Sequence, residues 1–461
     1  MQFKQFYLGC LSHASYYIGS EGEAAIIDPQ RDVQHYIDEA TSHGQKIKYV
    51  IETHSHADFV SGHAELAAKT GAEIIYGQKA QTHFPTHKVS DGDELSVGSV
   101  KLKFLETPGH TPEGITIIAE DTLDKAAPLK MFTGDTLFIG DVGRPDLIGS
   151  KGHTAGEMGS MLYDSLHEKI LPLPDETEIY PAHGAGSLCG KSLSKETWST
   201  LGNQRKFNYA LQPMSKEEFV KIVAADQPEV PMYFSKSAAK NLEGSSALAD
   251  VAKPRELNSA DIAAFDGIVI DVRQAVDYGE RHVPNSINIG LGGQFASWAG
   301  TLIPIGTKIA VVADNETQVE EAFTRASRVG HESVTGYILI HNFHGETNAV
   351  GQVTAREVSE LTKTEKYLQF VDVRRPAEHA AGHADRTVNI SLDKLASDFE
   401  ELDPNAPTYV ICQGGYRSSI GTGILENAGF TQIYNVTGGT AAWTEAGLKT
   451  EVSAAACANS N

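Results

Sequence analysis

Over roughly the first 190 residues, short apolar runs alternate with Gly- and Asp-containing turns. Ala24 to Asp28 and Lys48 to Thr53 read as strands, the second ending in polar residues. Val100 to Leu105 and Leu129 to Thr133 repeat that pattern, and Ser61 to Lys69 spaces its apolar residues as a helix does. Many short strands with helices between them predict an α/β sandwich, not an all-helical fold. From Gln227 to Pro254 the periodicity weakens under Pro228, Pro231, Gly244, Ser245, Ser246 and Pro254. A linker wrapped on the first domain is expected there.

Beyond it lies an internal repeat. Ile270-Asp271-Val272-Arg273 recurs as Val371-Asp372-Val373-Arg374, and His282, Asn288, Ile289 and Leu291 match His383, Asn389, Ile390 and Leu392 at the same offset. The simplest account is two copies of one domain of about 100 residues, with the break near Gly351. A second apolar strand follows in each copy, Lys308 to Ala313 and Thr408 to Cys412. Strands alternating with helices predict small doubly wound α/β sheets. The expected domains are therefore 1–250, 251–350 and 351–461, in keeping with about 150 residues per domain for a chain of 461 residues.

Charge and composition narrow the function. With 38 Lys plus Arg against 60 Asp plus Glu, the net charge is −22, which argues against nucleic acid as a partner. The 41% of apolar residues excludes a disordered chain. No apolar run approaches the about 18 residues of a membrane span. Met1 to Cys10 carries only Lys4 and no long apolar core, so a secretory signal is not expected and the protein reads as soluble and cytoplasmic. Cys10, Cys189, Cys412 and Cys457 form neither a disulfide framework nor a zinc ribbon. Cys10, in an apolar strand context, and Cys189 are read as packing residues. Cys457 is read as a bystander in a disordered tail, Val452 to Asn461.

Candidate chemistry gathers at strand ends. Thr53-His54-Ser55-His56-Ala57-Asp58 follows one strand, and Pro108-Gly109-His110-Thr111 follows another. Gly134-Asp135 and Tyr180-Pro181-Ala182-His183-Gly184 close two more. Four strand ends each offering His or Asp point to a metal site. The set resembles the metallo-β-lactamase superfamily, which implies an αββα sandwich with metal at one edge. Superfamily hydrolases usually place a second-metal His directly after the motif Asp; this chain has Phe59, which cannot ligate. A mononuclear site follows, and a two-metal hydrolysis is weakened. His63, read as helical and surface-exposed, is not expected to replace the missing ligand.

Two His and one carboxylate with open positions is the facial arrangement of non-haem Fe(II) oxygenases. Resemblance to the superfamily's persulfide dioxygenase branch implies His54, His110 and Asp135 as ligands of one Fe(II), with His56, Asp58 and His183 supporting them from behind. The stretch Gly134 to Asp146 also looks like that branch. It implies that Arg144 shapes the substrate site, where its fork suits a carboxylate, although a salt bridge to Asp141 or Asp146 is the plainer role. Tyr233 and Asn241 are expected to help close the pocket.

A second chemistry ends the chain. Cys412 closes a strand and is followed by Gln413-Gly414-Gly415-Tyr416-Arg417-Ser418, then a helix from Ser419 to Ala428. Backbone N–H groups and the helix dipole would stabilise a thiolate there, with Arg417 adding positive charge. This resembles rhodanese, as do Asp372-Val373-Arg374, His383, Gly438-Gly439 and Trp443. The resemblance implies sulfur transfer through a Cys412 persulfide, with Gln413, Gly414, Gly415 and Tyr416 around the substrate; the six-residue loop disfavours phosphatase chemistry. The middle copy ends its strand Val311-Val312-Ala313-Asp314-Asn315 and has no cysteine. It is read as an inactive rhodanese-like domain.

The domain order resembles bacterial persulfide dioxygenase–sulfurtransferase fusions. It implies oxidation of a thiol persulfide by O₂ to sulfite and thiol, and exchange of sulfane sulfur with thiosulfate, in a protein that tends to form homo-oligomers. Fusion would keep sulfite made at one site near the other. Two rivals stay open: a zinc thioester hydrolase like glyoxalase II with an attached sulfurtransferase, and a non-enzymatic sulfide-responsive scaffold.

Overall fold

The computed structural model describes residues 1–147, 152–191, 193–225, 227 and 229–452. Most of the tail, with Cys457, lies outside the described residues. Contacts divide the chain into two units, Met1–Val251 with Ser327–Gly330, and Ala252–Ala326 with His331–Asn461.

The first unit begins with β1 (Gln2–Leu8), β2 (His13–Ser20), β3 (Glu23–Ile27), α1 (Gln34–Ser42), β4 (Lys46–Ile51), α2 (His63–Thr70), β5 (Glu73–Gly77) and β6 (His87–Val89). These six strands form one sheet in sequence order, antiparallel from β1 to β3 and parallel from β3 to β6. The second sheet takes β7 (Glu94–Val97), β8 (Val100–Glu106), β9 (Ile115–Asp121), β10 (Lys130–Gly134), β11 (Glu178–Pro181) and β12 (Ser199–Thr200), with α3 (Ala155–Asp164) inserted and α4 (Leu201–Phe207), α5 (Lys216–Ala224) and α6 (Tyr233–Glu243) following.

Strand alternation builds the layers. Ile27, Val100, Leu102, Phe104, Ile117 and Phe132 point between the sheets into a shared core. Their neighbours point outward: Ile26 joins Tyr36 and Leu66 of α1 and α2, while Ile118 and Met131 join Leu162 of α3 and Phe219 of α5. The result is the expected αββα sandwich, in which almost every core strand is buried on both faces.

Three local expectations are corrected. His63 opens α2 but is wholly buried, its Nδ1 3.4 Å from Glu52 Oε1 and its ring stacked on Phe84. Cys10 lies in the turn after β1, only partly buried, not in a strand. The stretch read as a linker contains α6, whose buried face is Tyr233, Phe234, Ser237 and Asn241. Half of that face is polar, so apolar periodicity could not find it.

The second unit repeats one architecture. The first copy has β13 (Arg255–Glu256), α7 (Ser259–Ala263), β14 (Ile268–Asp271), α8 (Ala275–Glu280), β15 (Ser286–Asn288), α9 (Phe295–Leu302), β16 (Ile309–Ala313), α10 (Glu316–Arg328) and β17 (Val334–Leu339). The second has β18 (Gly351–Thr354), α11 (Ala355–Thr364), β19 (Gln369–Asp372), α12 (Pro376–Ala381), β20 (His383–Ala384), β21 (Val388–Asn389), α13 (Leu395–Asp398), β22 (Thr408–Ile411), α14 (Tyr416–Asn427), β23 (Ile433–Thr437), α15 (Gly439–Glu445) and β24 (Thr450–Glu451). The parallel sheets run β13-β17-β16-β14-β15 and β18-β23-β22-β19-β21, the same order in each copy.

The repeated residues are the scaffold of these sheets. Buried Asp271 holds Arg273 at 2.6 Å and buried Asp372 holds Arg374 at 2.7 Å. Each Arg also donates to a carbonyl eight residues on, Arg281 O or Gly382 O. His282 Nδ1 and His383 Nδ1 each donate to the carbonyl four residues before, and Asn288 and Asn389 tie the two strand ends together. Removing one partner would strand a buried charge, so the motif is explained by folding alone.

One buried histidine makes this unit acid-sensitive. His331 Nε2 donates to Ala299 O at 3.2 Å, and burial lowers its pKa to about 4. A depressed folded pKa means that the unfolded chain binds the proton first, so stability is full above the ordinary histidine range near 6.5 and falls as pH drops toward 4. The loss reaches about 3 kcal/mol. Thermal unfolding followed from pH 7 to pH 4 should show the second unit losing stability, and His331→Gln should flatten that decline.

Candidate metal centre and candidate thiol site

Four loops bring the metal-site donors together, each following a core strand. β4 ends at Ile51, leaving Glu52 and Thr53 free to turn. Asp28, at φ 50°, accepts from Thr53 N with one oxygen (2.7 Å) and from Thr53 Oγ1 with the other (2.8 Å). Asp tolerates that left-handed backbone better than most residues. Because the Thr53 hydroxyl is spent on Asp28, it can only accept from His54 Nδ1, 3.0 Å away, which leaves the His54 Nε2 lone pair open. Gly134, before Asp135, has φ 51°, and a Cβ there would sit 2.6 Å from Thr53 Oγ1, so only glycine lets the two loops close.

His110 Nδ1 donates to Arg144 O at 2.9 Å, so its Nε2 also presents a lone pair. Both lone pairs face one oxygen: Asp135 Oδ2 lies 3.7 Å from His54 Nε2 and 3.4 Å from His110 Nε2. That oxygen is buried and has no hydrogen-bond partner. Burial, with His56 next to it, holds His54 well below the usual histidine range, so it is neutral. Burial opposes the Asp135 charge, but the His183 cation and its hydrogen bond overcome this and hold it far below the carboxylate range. Two imidazole lone pairs and a carboxylate oxygen aimed at one point would repel one another; a cation at their centre removes that cost. A small cavity adjoins the donors, walled by Thr107, Thr111, Ile115 and Thr136.

The supporting residues fall behind this triad. His183 touches Asp135 Oδ1 through Nδ1 (2.7 Å) and Asp58 Oδ2 through Nε2 (2.8 Å). Burial lowers its pKa, but the two carboxylates more than reverse this, so His183 is an imidazolium bridging them. His56 Nε2 faces Asp28 (3.2 Å) and Glu52 (3.5 Å); against burial, these raise its pKa to about 9. Phe59, 1% exposed, fills the space between the rings of His13 (4.2 Å) and His56 (4.5 Å).

Among the described residues, donor atoms also cluster as His56-Asp58-His183, Asp135-His183-Cys189 and Asp28-Glu52-His56. Cys189 thus stands beside the centre, as its place after the His183 loop allows, although packing is the role expected of it; burial, followed by Asp58 and Asp135, keeps it a thiol. His13 was missed: it lines the same cluster through Asp28 O, and burial and the neighbouring His183 lower its pKa to about 3. It carries no motif that sequence reading could seize.

Two expectations change here. The Arg144 guanidinium is buried and paired with Asp146 at 2.7 Å through both Nε and Nη2, so its fork is taken by a carboxylate of the chain itself. Its contribution to the centre is the carbonyl that orients His110. Asn241 does not wall the cavity. Its Nδ2 donates to His56 O and Phe59 O (2.8 Å each) and its Oδ1 accepts from Ser61 N (2.8 Å), clamping the metal-motif loop. Asn241→Ala should weaken metal binding by about tenfold, as loss of an outer-shell support does. A metal titration of the folded variant checks this.

At the thiol site Cys412 follows β22 and is 1% exposed. Its Sγ accepts from Gly415 N (3.1 Å); Ser418 Oγ lies 3.4 Å away but gives its single hydrogen to Asn435 Oδ1 at 2.6 Å. Gly415 turns the loop at φ 96° into α14. Gly439 backs it: Thr440 N donates to Cys412 O at 2.8 Å, and a Cβ at Gly439 would meet that carbonyl at 2.2 Å. Gln413 and Gly414 are exposed at the loop tip. Tyr416 turns away, its hydroxyl donating to Gly290 O of the first copy at 2.9 Å. Arg417 is not an unmatched cation. Its Nη1 and Nη2 each lie 2.7 Å from the carboxylate oxygens of Glu378. In the first copy, strand register places Ala313 where the second has Cys412.

The metallo-beta-lactamase superfamily matches residues 8–183, and the rhodanese-like domain matches residues 250–340 and 354–446. The mitochondrial persulfide dioxygenase ETHE1 of Bos taurus is 34% identical over 207 residues, 44% of this chain and 71% of that protein. A hydroxyacylglutathione hydrolase of Polaromonas sp. is 35% identical over 245 residues, 47% of this chain and 88% of that protein. A metallo-beta-lactamase from Staphylococcus aureus has a solved structure that superimposes with a TM-score of 0.67 at 34% identity, covering 74% of this chain and 98% of its own. The chain belongs to the metallo-beta-lactamase superfamily, as a fusion with two rhodanese-like domains and with persulfide dioxygenase homologues. No helix among the described residues is long and apolar enough to cross a membrane.

Proposed function

We propose that the first unit oxidises a low-molecular-weight thiol persulfide with O₂ at a single Fe(II), and that Cys412 transfers sulfane sulfur between persulfide and thiosulfate. The overall oxidation is RSSH + O₂ + H₂O → RSH + SO₃²⁻ + 2H⁺. The observation that carries it is the convergence of His54, His110 and Asp135 on one buried point, while Phe59, at the sequence position where hydrolases of the superfamily usually have a second-metal His, packs on the His56 ring.

His54, His110 and Asp135 would hold the iron, which supplies the redox chemistry and open coordination positions for persulfide and O₂. The chain's own residues do the rest. Thr53 Oγ1 and Arg144 O fix the tautomers of His54 and His110. His183 stays charged between Asp58 and Asp135, which fixes the Asp135 carboxylate with one oxygen toward the centre. Uncharged side chains, Thr107, Thr111, Ile115 and Thr136, wall the cavity beside the donors.

At the other site the Cys412 thiolate attacks the outer sulfur of a persulfide. A Cys412–S–S⁻ bond forms, the donor S–S bond breaks and the thiol leaves as RS⁻. Sulfite then takes the outer sulfur as thiosulfate and returns the thiolate, or thiosulfate loads it in the reverse sense. The Gly415 N–H stabilises the sulfur anion. Glutathione is a fitting thiol carrier, and the expected setting is a cytoplasmic homo-oligomer.

The hydrolase relative favours a second reading, zinc-dependent thioester cleavage. Loading the full chain with zinc and offering S-D-lactoylglutathione separates the two. Negligible hydrolysis is expected; rapid turnover with two zinc ions bound would overturn the proposal.

A further inference from the structure

The sulfur-transfer reading leaves a question of charge at Cys412. Thiosulfate and sulfite are dianions, and a rigid guanidinium fork is the usual way to receive such oxygens. Arg417 lies in the first turn of α14, within electrostatic reach of Cys412. Yet both its terminal nitrogens are engaged by the two oxygens of Glu378, at 2.7 Å each. The neighbouring Arg374 is committed as fully to buried Asp372. The two carboxylates differ in exposure: the Asp372 side chain is 0% exposed and Glu378 is 37% exposed, on the six-residue helix α12. Asp372 is locked in the sheet, whereas Glu378, which also accepts from Arg375 N at 3.2 Å, can exchange both contacts for water.

We propose that Glu378 is the specificity-determining residue of the Cys412 site: its carboxylate occupies the Arg417 fork that a sulfur oxyanion would take, so thiosulfate and sulfite must displace it, whereas a thiol persulfide need not. The O–C–O edge of the carboxylate matches the O–S–O edge of the oxyanion, so the two compete for the same pair of donors. A persulfide delivers its outer sulfur to Cys412 without using that fork. The exchanges themselves balance without further reagents: Cys412–S⁻ + S₂O₃²⁻ → Cys412–S–S⁻ + SO₃²⁻, and Cys412–S⁻ + RSS⁻ → Cys412–S–S⁻ + RS⁻. Glu378 therefore sets which of two sulfur donors the site prefers, while the equilibrium between them is unaffected.

The inference rests on sulfur transfer at Cys412, and the test keeps the two apart. Full-length chain is mixed anaerobically with thiosulfate or with glutathione persulfide, quenched at intervals, and Cys412 is scored by mass for one added sulfur. Glu378→Gln should raise the loading efficiency with thiosulfate about tenfold, through a lower half-saturating concentration and not a faster limiting rate, and leave glutathione persulfide within about twofold. Glu378→Asp, which keeps the charge on a shorter arm, should move the ratio of donors the same way by less, and it decides the matter should Glu378→Gln fail to fold. An unchanged ratio, or an equal fall with both donors, would overturn the assignment and leave Glu378 as a support for Arg417. Wild-type chain that loads from neither donor would instead refute sulfur transfer itself.

Discussion

Replacing Cys412 by Ser is expected to abolish sulfur transfer, by a factor of about 10³ or more, while persulfide-dependent O₂ uptake stays within about twofold. The substitution is nearly isosteric in a site that is 1% exposed, so the β22–α14 turn should keep its shape. The Gly415 N–H would still point at the new oxygen. Chemistry is what changes: a serine hydroxyl is not ionised at neutral pH and does not accept a sulfane sulfur. Thiosulfate loading followed by mass analysis reads the first effect and an oxygen electrode the second. Transfer that survives the change would have to run through another thiol, and Cys189, buried beside the metal cluster, would be the one to replace next.

The second large effect is at the metal centre. His110→Ala should lower metal affinity by at least about a hundredfold and abolish O₂ uptake, with thiosulfate loading of Cys412 unaffected. The residue supplies one of three converging donors, so its loss leaves two, and Asp135 Oδ2 stays buried without a partner. The hydrogen bond to Arg144 O is lost as well, which frees that loop. Metal content after dialysis gives the affinity. A variant that keeps its iron and its O₂ uptake would place the centre elsewhere, at His56-Asp58-His183 or Asp135-His183-Cys189.

Much of the fold was legible because its strands obey simple rules. Runs such as Met131-Phe132-Thr133 are buried on both faces, the mark of a strand between layers, and lead into the polar residues of the candidate centre. The repeat announced itself through Asp271-Val272-Arg273 and Asp372-Val373-Arg374, and the structure gives the reason: those residues are a buried charge pair that holds strand ends together. The candidate metal triad came from the resemblance alone; Phe59, an aromatic ring at a ligand position, argued only against a second metal.

What stayed hidden was long-range polar pairing. Nothing near Arg417 in sequence announces Glu378, which is 39 residues away, and a positive charge in a loop says nothing of the carboxylate that meets it. Asn241 clamps a loop 185 residues earlier at His56 O, from a helix whose buried face is half polar. His63 was read as exposed because helical spacing leaves one face to solvent, whereas Glu52 and Ser61 draw it into a buried polar knot. For Arg144 the sequence offered a substrate, Asp141 or Asp146 as partner, and the structure pairs it with Asp146. In each case the sequence states the donor or the charge, and only packing states which partner wins.

The central claim is that one iron, held by His54, His110 and Asp135, oxidises a persulfide. It is tested most directly by loading the full chain anaerobically with Fe(II), measuring bound metal, and following O₂ consumption and sulfite release on addition of glutathione persulfide. The account predicts about one iron per chain and about one sulfite formed for each O₂ consumed. Iron bound at that ratio with no persulfide-dependent O₂ uptake would contradict it.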